Sequence, residues 1–250
     1  MIVRLPESLR PWFLDIANWY RDELGVRTVL RSIGGVQGEY RRPSVERLTG
    51  VSGPVEVVEF GIRYRFDPER ILFARGNRVE RHRAGEVTRP GDSVVDLFAG
   101  IGYFTLPAAV VGHAGRVIAC ELNPESFGFL RENVRLNHVE GIVQPLLGDH
   151  RELGLPPGEA DRVFLGYLPT SIPYLRSALP LLRPRGGWVH AHLVTEVRVP
   201  LSMAVAKVRE AVERLGGGAF DGTAREVKPY GPGRRHVVVD LFATPKAPPG

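Results

Sequence analysis

One cysteine, two methionines and three lysines in 250 residues are the scarcest features of this chain, and each narrows what it can be. A single thiol, Cys120, forms no intramolecular disulfide and no cysteine zinc cluster. No run approaches the roughly 18 apolar residues that a membrane span needs, so no bilayer crossing is expected. The start, MIVRLPESLRPWF, lacks the apolar h-region and small-residue cleavage site of a secretory signal, which predicts a cytoplasmic protein. Internal repeats and long low-complexity stretches are missing too. The only tail-like segment is ATPKAPPG, whose last residues, 245–250, read as a frayed end. The apolar fraction of 43% and charged fraction of 24% are those of an ordinary globular chain. Scarce Cys and Met lean weakly towards heat resistance.

Lysine stands only at 207, 228 and 246, so the other thirty basic residues are arginines. Arginine's flat, permanently charged fork suits phosphate and base recognition. A GC-rich genome would also favour arginine codons, but it accounts less well for the placement. Residues 1–90 carry a net charge of +4 and residues 91–250 only +1. Within residues 63–89, eight arginines (63, 65, 70, 75, 78, 81, 83 and 89) face four acids. That density fits a phosphate-contact surface, or alternatively a solvated hairpin face.

Residues 6–24 place Leu9, Trp12, Phe13, Ile16, Trp19 and Tyr20 at spacings of three and four. The pattern predicts an amphipathic helix closed by Gly25, with the aromatics in a core. VRTVLRS and VEVVEFGIRYRF, with a Gly/Pro-rich stretch between them, read as short strands and turns of a small mixed domain. From Ser93 the pattern changes. The runs VVDLF, RVIACEL, IVQPLL, RVFLGYL and WVHAHLV alternate with helical stretches, which predicts right-handed βαβ units and a parallel sheet buried on both faces. The closing TAREVKPY and RRHVVVDLFAT around Gly-Pro-Gly read as an antiparallel hairpin. The expected fold is α/β: a class I methyltransferase-like, doubly wound, mostly parallel sheet with a terminal antiparallel hairpin, over residues 81–244. A small α+β domain, residues 1–80, precedes it.

The chemistry concentrates at strand ends. Asp96-Leu97-Phe98-Ala99-Gly100-Ile101-Gly102-Tyr103 follows the first strand of the larger domain, and Gly100 and Gly102 allow a tight turn and close backbone approach to a ligand. The second strand ends in Glu121, placed to accept both hydroxyls of a ribose. The third ends before Asp149-His150, where Asp149 can accept from an adenine amino group. A phosphate loop and a G-x-G-x-x-G turn are both lacking, so a pyrophosphate cofactor is disfavoured and S-adenosylmethionine fits better. His190 and His192 share a strand face but lack a third ligand at metal-like spacing. They read as hydrogen-bonded strand residues, and no metal is expected.

DLFAGIGYFTLPAA, ACELNP, LRENVRLN, GD-x-R, ADRVFLGY and GGWVHAH closely resemble the tRNA position-37 guanosine N1-methyltransferase and wybutosine-synthesis family. The likeness extends upstream through GEYRRPSVERLTG and EFGIRYRFDPERILFARGNRVERHR, and downstream through VKPYGPGRRHVVVD. Methyltransferase members typically read F-S-P-R where this chain has Phe73-Ala74-Arg75-Gly76-Asn77. The F-S-x-G-N form resembles the aminocarboxypropyltransferase branch, from whose serine Ala74 departs. Gly166-Tyr167-Leu168-Pro169 and the H-x-H at 190–192 resemble that branch as well, and 250 residues leave no room for the extra N-terminal domain usual in the methyltransferases.

The resemblance implies transfer of the 3-amino-3-carboxypropyl group of S-adenosylmethionine to 4-demethylwyosine at position 37 of phenylalanine tRNA, releasing methylthioadenosine. Guanosine-37 N1-methylation is the alternative. On this reading Asp96, Phe98, Gly100, Gly102, Glu121, Asp149, His150 and the backbone at Ala74 line the cofactor pocket, and Arg81 pairs with the methionine carboxylate. Arg81 can instead be a surface partner of Glu80 or Glu86. Tyr167, stacking on the base or simply packed, joins Arg75 and Arg78 as candidate substrate contacts. No general base, no obligate protein partner and no membrane are implied; the partner is the tRNA anticodon loop.

Overall fold

A computed structural model describes residues 1–38 and 40–246. Of the predicted tail, residues 247–250 lie outside the described residues. The chain divides into two compact units: residues 1–57 with 64–74, and residues 58–63 with 75–250.

In the first unit, β1 (Ile2–Val3) pairs in parallel with β2 (Thr28–Gln37), which pairs antiparallel with β3 (Arg42–Gly50). Helix α1 (Phe13–Leu24) follows a 3-10 turn over 7–12 and ends at Gly25, whose φ of 60° is the left-handed cap that glycine adopts without a Cβ penalty. Val3, Ala17 and Val29 form its small core, with Tyr20 and Leu48 against them. Two expectations change here. The Gly/Pro-rich stretch, read with its neighbours as short strands and turns, holds the nine-residue β3, in which Pro43 stands second, near the strand's start. The helix aromatics are not all core: Phe13 is buried, but Trp12 and Trp19 are 60% and 56% exposed, since the stripe through Phe13 and Ala17 alone meets the sheet. Buried Arg31 ties the unit together, donating to the Leu5 carbonyl, Glu7 and Glu46 while its guanidinium lies 4.5 Å from the Phe13 ring centroid.

VEVVEFGIRYRF resolves into two strands, β4 (Val55–Glu59) and β5 (Ile62–Phe66), around Phe60-Gly61, both with positive φ. Residues 58–63, the tip, belong with the second unit for identifiable reasons. Glu59 pairs with Arg81, the Phe60 ring stacks on His82 at 4.0 Å, and the Arg63 backbone exchanges two hydrogen bonds with the Asn137 side chain.

The second unit continues with α2 (Arg78–Val87), a helix that the sequence reading did not separate from its surroundings, and then the large sheet. Its strands are β6 (Ser93–Asp96), β7 (Arg116–Glu121), β8 (Val143–Leu147), β9 (Arg162–Leu165), β10 (Gly187–Glu196), β11 (Gly218–Gly231) and β12 (Arg234–Thr244). They lie in the order β11-β12-β10-β9-β6-β7-β8, parallel from β10 to β8, with β12 antiparallel to both β10 and β11. This is the expected mostly parallel sheet with an antiparallel hairpin, and its strand order reverses beside β6, where ligands of open α/β sheets bind.

Helices α3 (Thr105–Val110) and α4 (Pro124–Leu136) follow β6 and β7. The segment SIPYLRSALPLL is broken into α5 (Leu175–Ala178) between two 3-10 turns, as Pro173 and Pro180 interrupt it. Helix α6 (Leu201–Arg214) precedes the hairpin. Val95, Leu97, Ile118, Val163, Leu165, Val189, Val239 and Leu241, all nearly or fully inaccessible, make the core beside which the strand ends open. No helix among the described residues is long and apolar enough to cross a membrane.

Candidate functional site

Three acids leave the sheet at successive strand ends, and each is held differently. Asp96, last in β6, is fully buried; its carboxylate accepts from the Phe98 amide at 3.2 Å and the Thr105 hydroxyl at 2.9 Å. Burial, with the nearby Glu121 charge, pushes its pKa up to about 7 against the pull of those hydrogen bonds. Glu121, last in β7, accepts from the Gly100 amide at 2.7 Å through one oxygen and from the Asn123 amide at 2.7 Å through the other. Burial raises its pKa, and the same amides oppose the rise. The carboxylate is thereby fixed beneath the glycine turn. Asp149, just past β8, is clasped by the Arg151 guanidinium and accepts from the Arg151 amide at 2.9 Å, which lowers its pKa to about 2.

The glycine turn depends on its residue types. Gly100 and Gly102 have φ of +58° and +103°, and a Cβ at Gly100 would lie 2.5 Å from the Tyr103 ring. Asn133 of α4 buttresses the turn from behind, donating to the Ile101 carbonyl at 3.0 Å.

Phe98 is the hub of an aromatic group at the sheet's reversal point. Its ring centroid lies 5.1 Å from both His150 and Tyr167 and 4.7 Å from Tyr174, while Tyr167 and Tyr174 meet edge to face at 5.1 Å. The structure thus brings together Phe98, His150 and Tyr167 from three strand ends and adds Tyr174, which the sequence reading passed over inside a segment taken as helix. Burial lowers the pKa of His150; its Nδ1 is 3.3 Å from Asp149, and its Nε2 is buried without a hydrogen-bond partner. A flat aromatic ligand edged with donors suits these rings and this acceptor-rich rim.

Arg81 lies elsewhere in this picture. It is 2% exposed and donates through Nε and Nη2 to both Glu59 oxygens at 2.8 Å, a partner that its immediate sequence neighbourhood does not contain. Its guanidinium is 5.9 Å from the Tyr103 ring centroid. Glu80 instead serves Arg83 and Arg225. Arg75 and Arg78 are exposed, with Arg78 over the Phe60 ring at 4.5 Å. Ala74 closes the first unit. Of the eight arginines read as a charged surface, Arg81 and Arg83 are buried in ion pairs and the other six are exposed.

The H-x-H pair is hydrogen-bonded within the sheet: His190 Nδ1 lies 2.6 Å from Asp240, and His192 Nδ1 lies 2.8 Å from His236 Nε2. Burial pushes the His192 and His236 pKa values down to about 3. Among the described residues no group of three or more His, Cys, Asp or Glu is arranged to hold a metal ion.

Residues 55–217 match the model of the TRM5/TYW2 methyltransferase domain. The chain belongs to this family. It is 36% identical over 243 residues, 96% of this chain and 85% of the relative, to the tRNA(Phe) (4-demethylwyosine(37)-C(7)) aminocarboxypropyltransferase of Pyrococcus horikoshii. The crystal structure of Pyrococcus horikoshii TYW2 in complex with MeSAdo superposes with a TM-score of 0.87 at 33% identity, covering 97% of this chain and 87% of that one. The structure of Trm5b from Pyrococcus abyssi is more distant, with a TM-score of 0.83 at 27% identity over 97% of this chain and 72% of that one. The family's two branches therefore share the fold, and the TRM5/TYW2 chain described here stands nearer the aminocarboxypropyl branch.

Proposed function

We propose that this chain transfers the 3-amino-3-carboxypropyl group of S-adenosylmethionine to C7 of 4-demethylwyosine in phenylalanine tRNA and releases methylthioadenosine. The observation that carries this is the 36% identity to the Pyrococcus horikoshii aminocarboxypropyltransferase across 96% of the chain.

The residues present suit the donor. Glu121, anchored by two backbone amides and lying under the glycine turn, can accept from the ribose hydroxyls. Phe98, His150 and Tyr174 offer the adenine an aromatic surface, and Asp149 can accept from its amino group once the exposed Arg151 swings aside. Asp96 acts one layer down, holding the Phe98 amide and Thr105 on either side of the turn. Tyr167, whose ring centroid lies 5.1 Å from that of Phe98, can serve as a stacking surface for the acceptor base.

S-adenosylmethionine supplies a sulfonium whose carbon–sulfur bond breaks as the new carbon–carbon bond forms, its electron pair leaving on sulfur as a neutral thioether while the ring carbon loses a proton. Which of the three sulfonium carbons reacts depends on which one faces the nucleophile in line with sulfur. The protein's task is to fix that orientation, and its anchored carboxylates and rings are suited to it. The acceptor tRNA enters through its anticodon loop, with position 37 turned out to the pocket and exposed arginines, among them Arg75 and Arg78, on its phosphates.

Incubating the protein with S-adenosylmethionine and tRNA carrying 4-demethylwyosine tests the reading. Methylthioadenosine and a nucleoside heavier by one aminocarboxypropyl group are expected. S-adenosylhomocysteine and a methylated nucleoside would overturn it in favour of the methyltransferase branch.

A further inference from the structure

Arg63 and Asn137 stand 74 residues apart, yet the Asn137 carboxamide grips the Arg63 backbone at two points. Its Oδ1 accepts from the Arg63 amide at 2.9 Å, and its Nδ2 donates to the Arg63 carbonyl at 2.8 Å. Nδ2 also donates to the Asn133 carbonyl at 2.8 Å. The pattern is that of a carboxamide, with an acceptor facing the one N–H and a two-proton donor facing the two carbonyls. Closing α4 does not require this side chain, because the Asn137 backbone N–H already reaches the Asn133 carbonyl at 3.1 Å. Its remaining bonds serve the hairpin tip, residues 58–63.

One turn earlier on α4, Asn133 is fully buried and donates to the Ile101 carbonyl, between the two glycines of the turn after β6. Leu130 meets the same turn: a Cβ at Gly102 would lie 3.3 Å from its Cδ1. Helix α4 therefore touches the hairpin tip through Asn137 and the glycine turn through Asn133 and Leu130. The tip's second fastening leads to the same place. Glu59 holds Arg81, whose guanidinium lies 5.9 Å from the centroid of the Tyr103 ring that covers Gly100. Two struts from one tip converge on the turn.

The tip is itself built at a conformational cost. Phe60 has a φ of +51°, a left-handed backbone that a bulky residue rarely adopts. Its ring stacks on His82 at 4.0 Å and lies 4.5 Å from the Arg78 guanidinium, and these contacts hold the strained residue in place. A tip kept in a costly shape and fastened twice to the elements behind a glycine turn is placed to brace that turn.

We propose that Asn137 is a positioning residue for the donor: by locking the hairpin tip to the end of α4, it holds the Gly100–Gly102 turn in the shape that receives S-adenosylmethionine. This deepens the reading of the site given above and rests on S-adenosylmethionine being the donor. Asn137 acts through the turn and through no particular end of the donor. S-adenosylmethionine and methylthioadenosine, which share the nucleoside, should therefore respond alike.

The test combines calorimetric titration of the full chain with both ligands, steady-state kinetics, and amide hydrogen exchange of the unliganded chain read by mass spectrometry. Asn137→Ala is expected to weaken both ligands by about five- to tenfold, to raise KM for S-adenosylmethionine but not for tRNA, and to speed exchange at residues 99–103. Asn137→Asp has the same shape and keeps the acceptor for the Arg63 amide, but it turns a carboxylate towards two carbonyl oxygens, so it should fare no better than alanine. Val212→Ala is the stability control: a fully buried residue of α6, which packs on β11 and β12, it should lower the unfolding temperature and leave affinity, KM and exchange at 99–103 unchanged.

Unchanged affinity and exchange in Asn137→Ala would overturn the proposal, as would full recovery by Asn137→Asp. Equal weakening in Val212→Ala would overturn it too, because loss of stability alone would then account for the effect. By-product identity is a separate readout. An unaltered chain that released S-adenosylhomocysteine would overturn the reaction assignment and leave the role of Asn137 standing, because both reactions use the same donor.

Discussion

Arg81 and Glu59 form a two-point ion pair in which both side chains are nearly sealed from water, 3% and 7% exposed, joining α2 to the tip of the β4–β5 hairpin. Removing one member strands the other's charge in a low-dielectric setting, which costs far more than a surface pair contributes. Glu59→Ala should therefore lower unfolding free energy by about 3–5 kcal/mol in urea titrations. The double variant Glu59→Met with Arg81→Met should recover a substantial part of that loss, since two apolar side chains replace both charges. A double variant no more stable than Glu59→Ala would show that the pair is not the source of the effect.

A second prediction concerns Asp96 and pH. Its pKa of about 7 in the folded protein exceeds the ordinary value of 3.8 that it regains on unfolding. The folded state thus binds the proton more tightly, so this group's contribution to stability is complete below about pH 4 and is lost as pH rises towards 7. Asp96→Asn removes the titration and can keep the Phe98 amide and Thr105 hydroxyl contacts, because the hydroxyl can accept from the new amide, while the Thr105 backbone N–H loses an acceptor at every pH alike. The stability of Asp96→Asn relative to the unaltered protein should rise by on the order of a few kcal/mol between pH 4 and pH 7.5. Urea midpoints measured across that range check it, and parallel curves would refute it.

Much of the larger unit was legible because its strands are short Val/Ile runs bounded by turns, and because Asp96, Glu121 and Asp149 each follow such a run. What escaped depended on contacts distant in sequence. Tyr174 joins Phe98 and Tyr167 only once β9 lies beside β6, and nothing local to SIPY marks it. The Arg81 pairing with Glu59 was not legible, because the two lie 22 residues apart on different elements. Trp12 and Trp19 matched a helical stripe, yet a three-stranded sheet with a core as small as Val3, Ala17 and Val29 covers only one narrow face. Periodicity reports that a face exists; how wide a face becomes buried depends on the partner it meets.

The aromatic group gives a third prediction, one that separates the two ends of the donor. Phe98 contacts His150, Tyr167 and Tyr174, so Phe98→Ala removes the centre of the surface proposed for the adenine. Stacking of a base on an aromatic ring contributes about 1–3 kcal/mol, and binding should weaken by about 10- to 100-fold. Because both S-adenosylmethionine and methylthioadenosine carry the adenine, both should weaken alike. Calorimetry with the two ligands decides it, and a loss confined to S-adenosylmethionine would place the adenine elsewhere.

Asp149 tests how the pocket changes on binding. Its carboxylate is fully ionised at neutral pH, with a pKa of about 2 set first by the Arg151 guanidinium, whose own side chain is 64% exposed. An exposed arginine gives up such a pair at little cost, because water screens the charges it leaves. Asp149→Ala should weaken methylthioadenosine about tenfold by removing the acceptor proposed for the adenine amino group. Arg151→Ala should leave the affinity within about twofold, as the carboxylate keeps its hydrogen bond from the Arg151 backbone amide, which the substitution preserves. A large loss in Arg151→Ala would mean that the pair itself shapes the site.

The exposed arginines supply the last prediction. Each cation on an RNA phosphate releases condensed counterions, so log KM for tRNA depends on log salt with a slope of about 0.7–0.9 per contact. Arg75 and Arg78 are exposed beside the turn at Gly76, whereas Arg83 is buried between Glu80 and Asp240. The double variant Arg75→Ala with Arg78→Ala should raise KM for tRNA and lower the salt slope by about 1.4–1.8, leaving affinity for methylthioadenosine unchanged. Arg83→Met should behave differently, destabilising the fold without altering the salt slope, because a guanidinium committed to Glu80 and Asp240 contacts no phosphate and releases no counterion. Steady-state kinetics at several salt concentrations, with urea unfolding of the same variants, separates the two outcomes. An unchanged slope in the double variant would move the RNA-contacting surface to other residues.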